Sequence, residues 1–388
     1  MAGRVLGIAV VGIGGAVGTT MAAGIELLKK GLIGTEGLPL ADSSIDGLAD
    51  YSDIVFAGWD LFPENLTKAA EGHEVLTYKQ HVAVEAELAK IKPWPAVGDE
   101  RFLSLIEGQN KIGGGHRAII EKLRRDLAAF KSKCDSVVVI NLASTEKLAV
   151  AGNEILNTLA GFEKALDEDA DDISPSMLYA YAAIAEVVPY ANFTPSVAAD
   201  IPALIEFADK QNVPIAGKDG KTGQTFIKTV LAPALKSRAL HVDGWYSTNI
   251  LGNRDGLALS NEDSLASKVK TKQNVLDDIL GYTVEDHIVD IRYYRPRCDN
   301  KDAWDNIDIS GFLGQKMQIK VNFLCKDSIL AAPLAIEIAR CLDLARQRGQ
   351  GGIQERLSVF FKLPMSKGAK PEHDFHKQEQ FLLEWLAA

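Results

Sequence analysis

Residues 4–31, "RVLGIAVVGIGGAVGTTMAAGIELLKKG", set an apolar, β-branched run, a glycine cluster and a helix-forming stretch in immediate succession. A buried strand that ends in Gly12, Gly14, Gly15 and Gly18 and opens directly into a helix leaves the first helical amides bare. Those amides, with the helix dipole, favour a pyrophosphate. The loop departs from the usual G-x-G-x-x-G spacing, because Val17 stands in the third glycine's place and Gly18 follows one residue later. Glycines alone are weak evidence, since any tight turn needs them for steric reasons. The strand before and the helix after favour a dinucleotide site over a plain turn. Residues 5–25 carry no charge, so hydropathy alone suggests a signal peptide or a membrane span. The clustered glycines argue for strand, loop and helix instead, and for a soluble, unprocessed chain.

Alternation continues. "DIVFAGWD" reads as a second strand, "RAIIEKLRRDLAAFKSK" has helical apolar spacing, and "DSVVVINLAS" is a third apolar strand. Strands alternating with helices imply an α/β fold with a Rossmann-type, doubly wound parallel sheet, whose ligands bind at the carboxyl ends of the strands. Asp60, ending the second strand, is the natural carboxylate for the adenosine ribose hydroxyls and selects NAD over NADP. It lies about twice the usual ~20 residues from the loop, so the irregular "GLIGTEGLPLADSSIDGLADYSD" must be looped out. Ser144 and Thr145, in "NLASTEK", are offered to the cofactor, although either serves equally as an N-cap. The triple glycine at 113–115 lacks a preceding strand and reads as a mobile turn.

At 388 residues the chain exceeds what one hydrophobic core usually supports, so two domains are expected. A net charge of −10 argues against general affinity for nucleic acid or anionic membranes, and an anionic ligand must be met by local positive charge. The four cysteines show no C-x-x-C pair, as expected of reduced thiols in a cytoplasmic protein, and the seven histidines form no metal-ligand pattern.

From about residue 225 the texture changes. "RALHVDGWYSTNIL", "HIVDIRYYRP" and "KMQIKVNFLC" read as longer strands interrupted by polar residues, which suggests a second sheet open on one face. The helical "AAPLAIEIARCLDLARQ" and "QEQFLLEWLAA" are expected to return to the first domain. The expected division is 1–225 with 341–388 as a dinucleotide-binding domain, and 226–340 as an α+β domain. Lysines recur here: Lys268 and Lys272 in "SLASKVKTKQNV", Lys301 in "RPRCDNKDAW" and Lys362 in "VFFKLPM". Lys362, flanked by Phe360, Phe361, Leu363 and Pro364, is expensive to bury unless something pairs with it. The bland alternatives are a solvated face for the cluster and snorkelling for Lys362.

The G-x-G-G-x-x-G loop, "GWD", "VPYANFTPS", "GKDGKTGQT", "LGNRDG", "SKVKTK", "RPRCDNK", "LCKDSILAAPL" and "FFKLP", in that order, resemble the myo-inositol-1-phosphate (inositol-3-phosphate) synthases over nearly the whole chain. The resemblance implies a Rossmann domain assembled from N- and C-terminal parts, a central sheet domain for catalysis and tetramer formation, and conversion of glucose 6-phosphate to inositol phosphate with NAD consumed and regenerated. It assigns the essential lysines to Lys268, Lys272, Lys301 and Lys362. Cofactor- or ion-linked carboxylates fall on Asp60, Asp219 and Asp327, and the substrate pocket on Thr222, Gly223, Gln224, Leu251, Asn253 and Asp255. Ala16 and Val17 stand where other members have polar loop residues, Ile250 replaces a histidine and Arg254 an asparagine.

The family chemistry explains the lysines: oxidation at C5, enolisation at C6, attack on the C1 aldehyde and reduction all move negative charge onto oxygen. By analogy Lys268, assisted by Lys362, serves the C5 hydroxyl, Lys272 and Lys301 the aldehyde oxygen, and the substrate phosphate takes the C6 proton. The sequence leaves open whether ammonium, potassium or a divalent cation assists. Two rivals stand beside this reading: a net NAD-dependent dehydrogenase of a polyol or semialdehyde, and a catalytically silent NAD-binding paralogue.

Overall fold

Strand β1 (Leu6–Val11) is buried along its whole length because it runs through the middle of a sheet covered on both faces. Its alternate side chains feed two separate cores, Ala9 and Val11 on one side and Leu6, Ile8 and Val10 on the other. In this computed structural model residues 4–42, 45–103, 108–147, 153–252, 275–368 and 370–388 are described. The sheet also contains β2 (Ile54–Asp60), β3 (Trp94–Pro95), β4 (Ser136–Asn141), β5 (Tyr190–Asn192), β6 (Pro214–Gly217) and β11 (Gly352–Ile353). Its order is β11-β6-β5-β4-β1-β2-β3, and every pairing is parallel. Without β11 this is the doubly wound order 3-2-1-4-5-6, so the expected α/β class holds and the switch of winding falls between β1 and β4.

One face is covered by α4 (His116–Lys131), α5 (Leu159–Asp167), α6 (Pro175–Ala185) and α7 (Pro202–Gln211). The other carries α1 (Ala16–Lys29), α2 (Leu66–His73), α3 (Tyr78–Leu88), the long helix Asp327–Gln347 and the C-terminal helix Phe375–Ala387. The triple glycine opens α4, with Gly115 as its N-cap.

The insertion between α1 and β2 has neither helix nor strand over 31–42 and 45–50. The long helix holds it by buried charge: Arg340 Nε donates to the Ala49 carbonyl at 2.7 Å and Arg340 Nη1 to Glu337 Oε2 at 2.6 Å. The Tyr51 hydroxyl donates to Glu337, and the Arg340 guanidinium lies 4.0 Å from the Tyr51 ring centroid. One turn on, buried Asp343 receives Arg4 Nη2 at 2.8 Å.

A second sheet has the order β10-β9-β7-β8, built from β7 (His241–Leu251), β8 (Asp286–Tyr293), β9 (Asn300–Ser310) and β10 (Lys316–Lys326). Only β7 and β8 run parallel. One face packs on α8 (Gln224–Ser237) and on helical residues 275–280, around Leu235, Trp245, Leu276 and Ile307. The opposite face is open, as the interrupted apolar pattern predicts, and the register places Tyr246, Ile288, Trp304 and Leu324 on it at 40–61% exposure. Two connections join the sheets. The loop after β6 enters α8, and the helix Asp327–Gln347, about 30 Å long at 1.5 Å per residue, leaves β10 and packs on the first sheet from Ala332 onward. The boundary expected between 340 and 341 falls within this helix. Among the described residues no helix is long and apolar enough to cross a membrane.

Candidate active site

A cleft of about 590 Å³ opens at the switch point between β1 and β4 and extends to the second sheet. Gly12, Gly14, Gly15, Ala16, Val17 and Gly18 line one end; Asp60, Ser144 and Thr145 line its middle; Asp219, Thr222, Lys301, Asp327 and Lys362 line the other end. Every residue expected to hold the dinucleotide therefore borders one cavity.

The glycine loop fits a pyrophosphate for steric reasons. Gly12 has φ +84°, and a Cβ at Gly18 would meet the Ile13 carbonyl oxygen at 2.5 Å, so a larger residue there would force α1 away from the strand. Helix α1 begins at Ala16 with no side-chain cap on Gly15, which leaves its first amides for an anion. Asp60, buried at the tip of β2, accepts from Gly14 N at 2.8 Å through Oδ2 and from Phe62 N at 3.0 Å through Oδ1. These bonds fix the carboxylate at the edge of the cleft.

At the far end two loops are laced by backbone hydrogen bonds: Lys362 N to the Asp219 carbonyl, Lys221 N to the Phe360 carbonyl and Lys218 N to the Leu363 carbonyl, at 2.7–2.8 Å. The lacing brings Lys362 Nζ within 2.7 Å of Asp219 Oδ1, with the two side chains 8% and 4% exposed. The partner that burial demanded for Lys362 is thus a carboxylate. Asp219 Oδ2 is buried without a hydrogen-bond partner among the described residues, an orphaned acceptor that fits a donor from a bound cofactor. Beside it Lys221, 4% exposed, donates to Gln378, and desolvation lowers its ammonium pKa to about 7.

Lys301, on the central strand β9, lies 3.3 Å from Asp327 Oδ1, which also accepts from Thr222 Oγ1 at 3.2 Å. Asp327 begins the long helix, where Ser328 N and Oγ both donate to Asp299, 3.3 and 2.6 Å away. Burial raises the Asp299 carboxyl pKa, an effect that the Ser328 hydroxyl opposes. Helix α8 starts after Gly223 without a side-chain cap, and a Cβ at Gly223 would stand 4.0 Å from Lys301 Nζ. A bare helix N-terminus beside an ammonium group suits a phosphate. Gly223, Gln224 and Leu251 do not line the cleft: all three are buried, and Gln224 accepts from the Asn249 side-chain amide. Lys268, Lys272, Asn253 and Asp255 lie outside the described residues.

Sequence reasoning missed several cleft residues. Glu146, next to Thr145, accepts from Ser176 N and Oγ at 2.9 and 2.8 Å at the start of α6, and burial pushes its carboxyl up to about 7. Its only signal was adjacency. His73, at the end of α2, carried none.

A family model described as myo-inositol-1-phosphate synthase matches residues 39–387. The inositol-3-phosphate synthase 1 of Bacteroides thetaiotaomicron is 45% identical over 406 residues, covering 98% of this chain and 94% of that one. The chain belongs to the myo-inositol-1-phosphate synthase family. A second family member, the inositol-3-phosphate synthase of Brassica napus, is 31% identical over 88% of this chain and 74% of its own length. Architecture agrees as well: the crystal structure of the Caenorhabditis elegans inositol-3-phosphate synthase superposes with a TM-score of 0.91 at 25% identity, over 99% of this chain and 85% of that one.

Proposed function

We propose that the chain is an inositol-3-phosphate synthase, an isomerase that converts D-glucose 6-phosphate to 1L-myo-inositol 1-phosphate by oxidation, enolisation, intramolecular aldol closure and reduction. NAD, when bound, supplies the hydride acceptor for the first step and the donor for the last. The observation that carries the reading is the pairing of Lys362 with Asp219 and of Lys301 with Asp327 at the end of the cleft remote from the glycine loop. Two ammonium groups are thereby held in fixed positions, partly shielded from water, where sugar oxygens gain charge.

In this proposal Gly12, Gly14, Gly15, Ala16, Val17 and Gly18 receive the pyrophosphate, Asp60 the adenosine ribose, and Ser144, Thr145, Asp219 and Asp327 the remainder of the cofactor. The bare N-terminus of α8 beside Thr222 receives the substrate phosphate, with Asn253 and Asp255 completing the pocket. Lys362, with Lys268, polarises the C5 hydroxyl; Lys301, with Lys272, stabilises the oxygen of the C1 aldehyde. Removing one preorganised donor to a developing oxyanion costs about 3 kcal/mol of barrier. The substrate phosphate takes the C6 proton. The enzyme is placed in the cytoplasm as a homotetramer assembled over the open face of the second sheet. An assisting cation, monovalent or divalent, is tested by titrating ammonium, potassium and a chelator.

Glucose 6-phosphate supplied with substoichiometric NAD separates this reading from a net dehydrogenase. Inositol phosphate in many-fold excess over NAD, without NADH accumulation, is expected. NADH rising in step with product supports the dehydrogenase, and NAD binding without product supports a silent paralogue. Lys268→Ala is expected to abolish turnover and keep NAD binding.

A further inference from the structure

The Gly14 residue of the glycine loop is gripped at both ends. Its N–H donates to Asp60 Oδ2 at 2.8 Å, and its carbonyl oxygen lies 2.8 Å from His73 Nε2. A carbonyl only accepts, so the ring hydrogen sits on Nε2 and points at Gly14. The two grips come from different elements, one from the tip of β2 and one from the last turn of α2.

The carbonyl that His73 holds belongs to the peptide unit between Gly14 and Gly15. With no Cβ on either side, that plane rotates more readily than any other in the loop. One orientation keeps the Gly14 oxygen turned out toward α2; rotation would bring it round toward the start of α1, where it would oppose an anion. The imidazole holds the carbonyl end of this plane in the first orientation, and the Gly15 N–H, which donates to the Gly12 carbonyl at 3.0 Å, holds the other end.

Helix α2 is a firm platform for this. Asn65 caps it through Lys68 N at 3.2 Å, Leu66 is fully buried, and Thr67 Oγ1 donates to the Glu85 carbonyl of α3 at 2.8 Å. His81 of α3 bonds the Thr67 carbonyl at 3.1 Å, so two helices fix the ring's starting point. His73 itself lines the cleft together with the glycine loop.

We infer that His73 is a positioning residue for the cofactor pyrophosphate, acting through the Gly14 carbonyl. The inference rests on the dinucleotide reading of the cleft and adds to it a residue from outside the strand, loop and helix that define such sites.

The test measures binding to the full chain, without turnover, by titration calorimetry with NAD, ADP and adenosine, beside the melting temperature of each variant without ligand. His73→Leu removes the donor; His73→Gln keeps an N–H at a similar reach. His73→Leu is expected to weaken NAD and ADP about five- to tenfold, the worth of one hydrogen bond, with adenosine unchanged because it carries no phosphate. His73→Gln restores NAD to within about twofold. Unchanged NAD affinity in His73→Leu overturns the inference, as does equal weakening of adenosine, or His73→Gln binding as poorly as His73→Leu at the same melting temperature. If the unaltered chain binds neither NAD nor ADP, the dinucleotide reading itself fails and the inference with it.

Discussion

Lys362 donates to Asp219 across 2.7 Å, joining side chains 143 positions apart in the chain and burying both. Neither group is tenable alone at that depth, because an unpaired buried charge costs several kcal/mol while a hydrogen-bonded pair offsets most of that. Lys362→Met leaves the Asp219 carboxylate without its partner. Loss of about 3–5 kcal/mol in urea unfolding is expected, together with loss of turnover. Lys362→Met with Asp219→Asn is expected to regain much of the stability and none of the turnover. Full activity in either variant would remove Lys362 from the mechanism.

Lys301 and Thr222 converge on one oxygen of Asp327. Lys301→Ala is expected to lower kcat on glucose 6-phosphate by about 10²–10³, the usual effect of deleting one donor to a developing oxyanion. NAD affinity, measured without sugar, should change by less than about threefold. A selective loss of NAD binding with normal kcat would assign Lys301 to the cofactor instead.

Glu146 gives the fold a pH dependence of definite sign. Its carboxyl titrates at 4.5 when unperturbed and at about 7 in the folded chain, where desolvation is the largest cause and the Ser174 and Ser176 bonds oppose it. The folded state therefore holds the proton more tightly. That contribution is complete below about pH 4.5 and is lost as pH rises through 7, about 3 kcal/mol at most. Glu146→Gln cannot ionise, so the stability difference between parent and variant should shift in favour of the parent as pH falls from 8 to 5. A constant difference would place the carboxyl's pKa in its ordinary range.

Glu337 and Arg340 are 0% and 5% exposed and hold the irregular insertion through Tyr51, Leu40 and Ala49. Arg340→Met strands the Glu337 charge, and about 3–5 kcal/mol of destabilisation is expected. Limited proteolysis should then cut first within residues 31–50. Cleavage elsewhere at the same rate would show that the insertion has another anchor.

The open face of the second sheet carries Trp304 and Leu324, 45% and 61% exposed. Trp304→Glu with Leu324→Glu is expected to convert the proposed tetramer into smaller species by light scattering, with each subunit still folded by circular dichroism. An unchanged mass would place the interface on another face.

The three apolar strands and the first helix were legible because each is specified within its own segment: β1, β2 and β4 by unbroken apolar runs, α1 by the glycine loop in front of it. Strand β9 was not legible. "NKDAWDNIDIS" is rich in Asp and Asn, residues depleted in strands. It becomes a strand because β7 and β10 pair with it on both sides, and because its buried Asp305 accepts from Trp245 Nε1 and Ser247 Oγ at 2.7 and 2.6 Å. Lys301 owes its position to this pairing.

Steric demands at glycines, apolar periodicity and the intolerance of a lone buried ammonium are local properties of the chain, and from them came the doubly wound sheet, the pyrophosphate loop, Asp60 and the need of Lys362 for a partner. Which carboxylate answers each lysine, and that a histidine from α2 bonds the Gly14 carbonyl, was settled only by tertiary packing around the cleft. Such partners lie tens to hundreds of residues apart, and no segment encodes the distance to another until burial excludes water and leaves each polar group one place to bond.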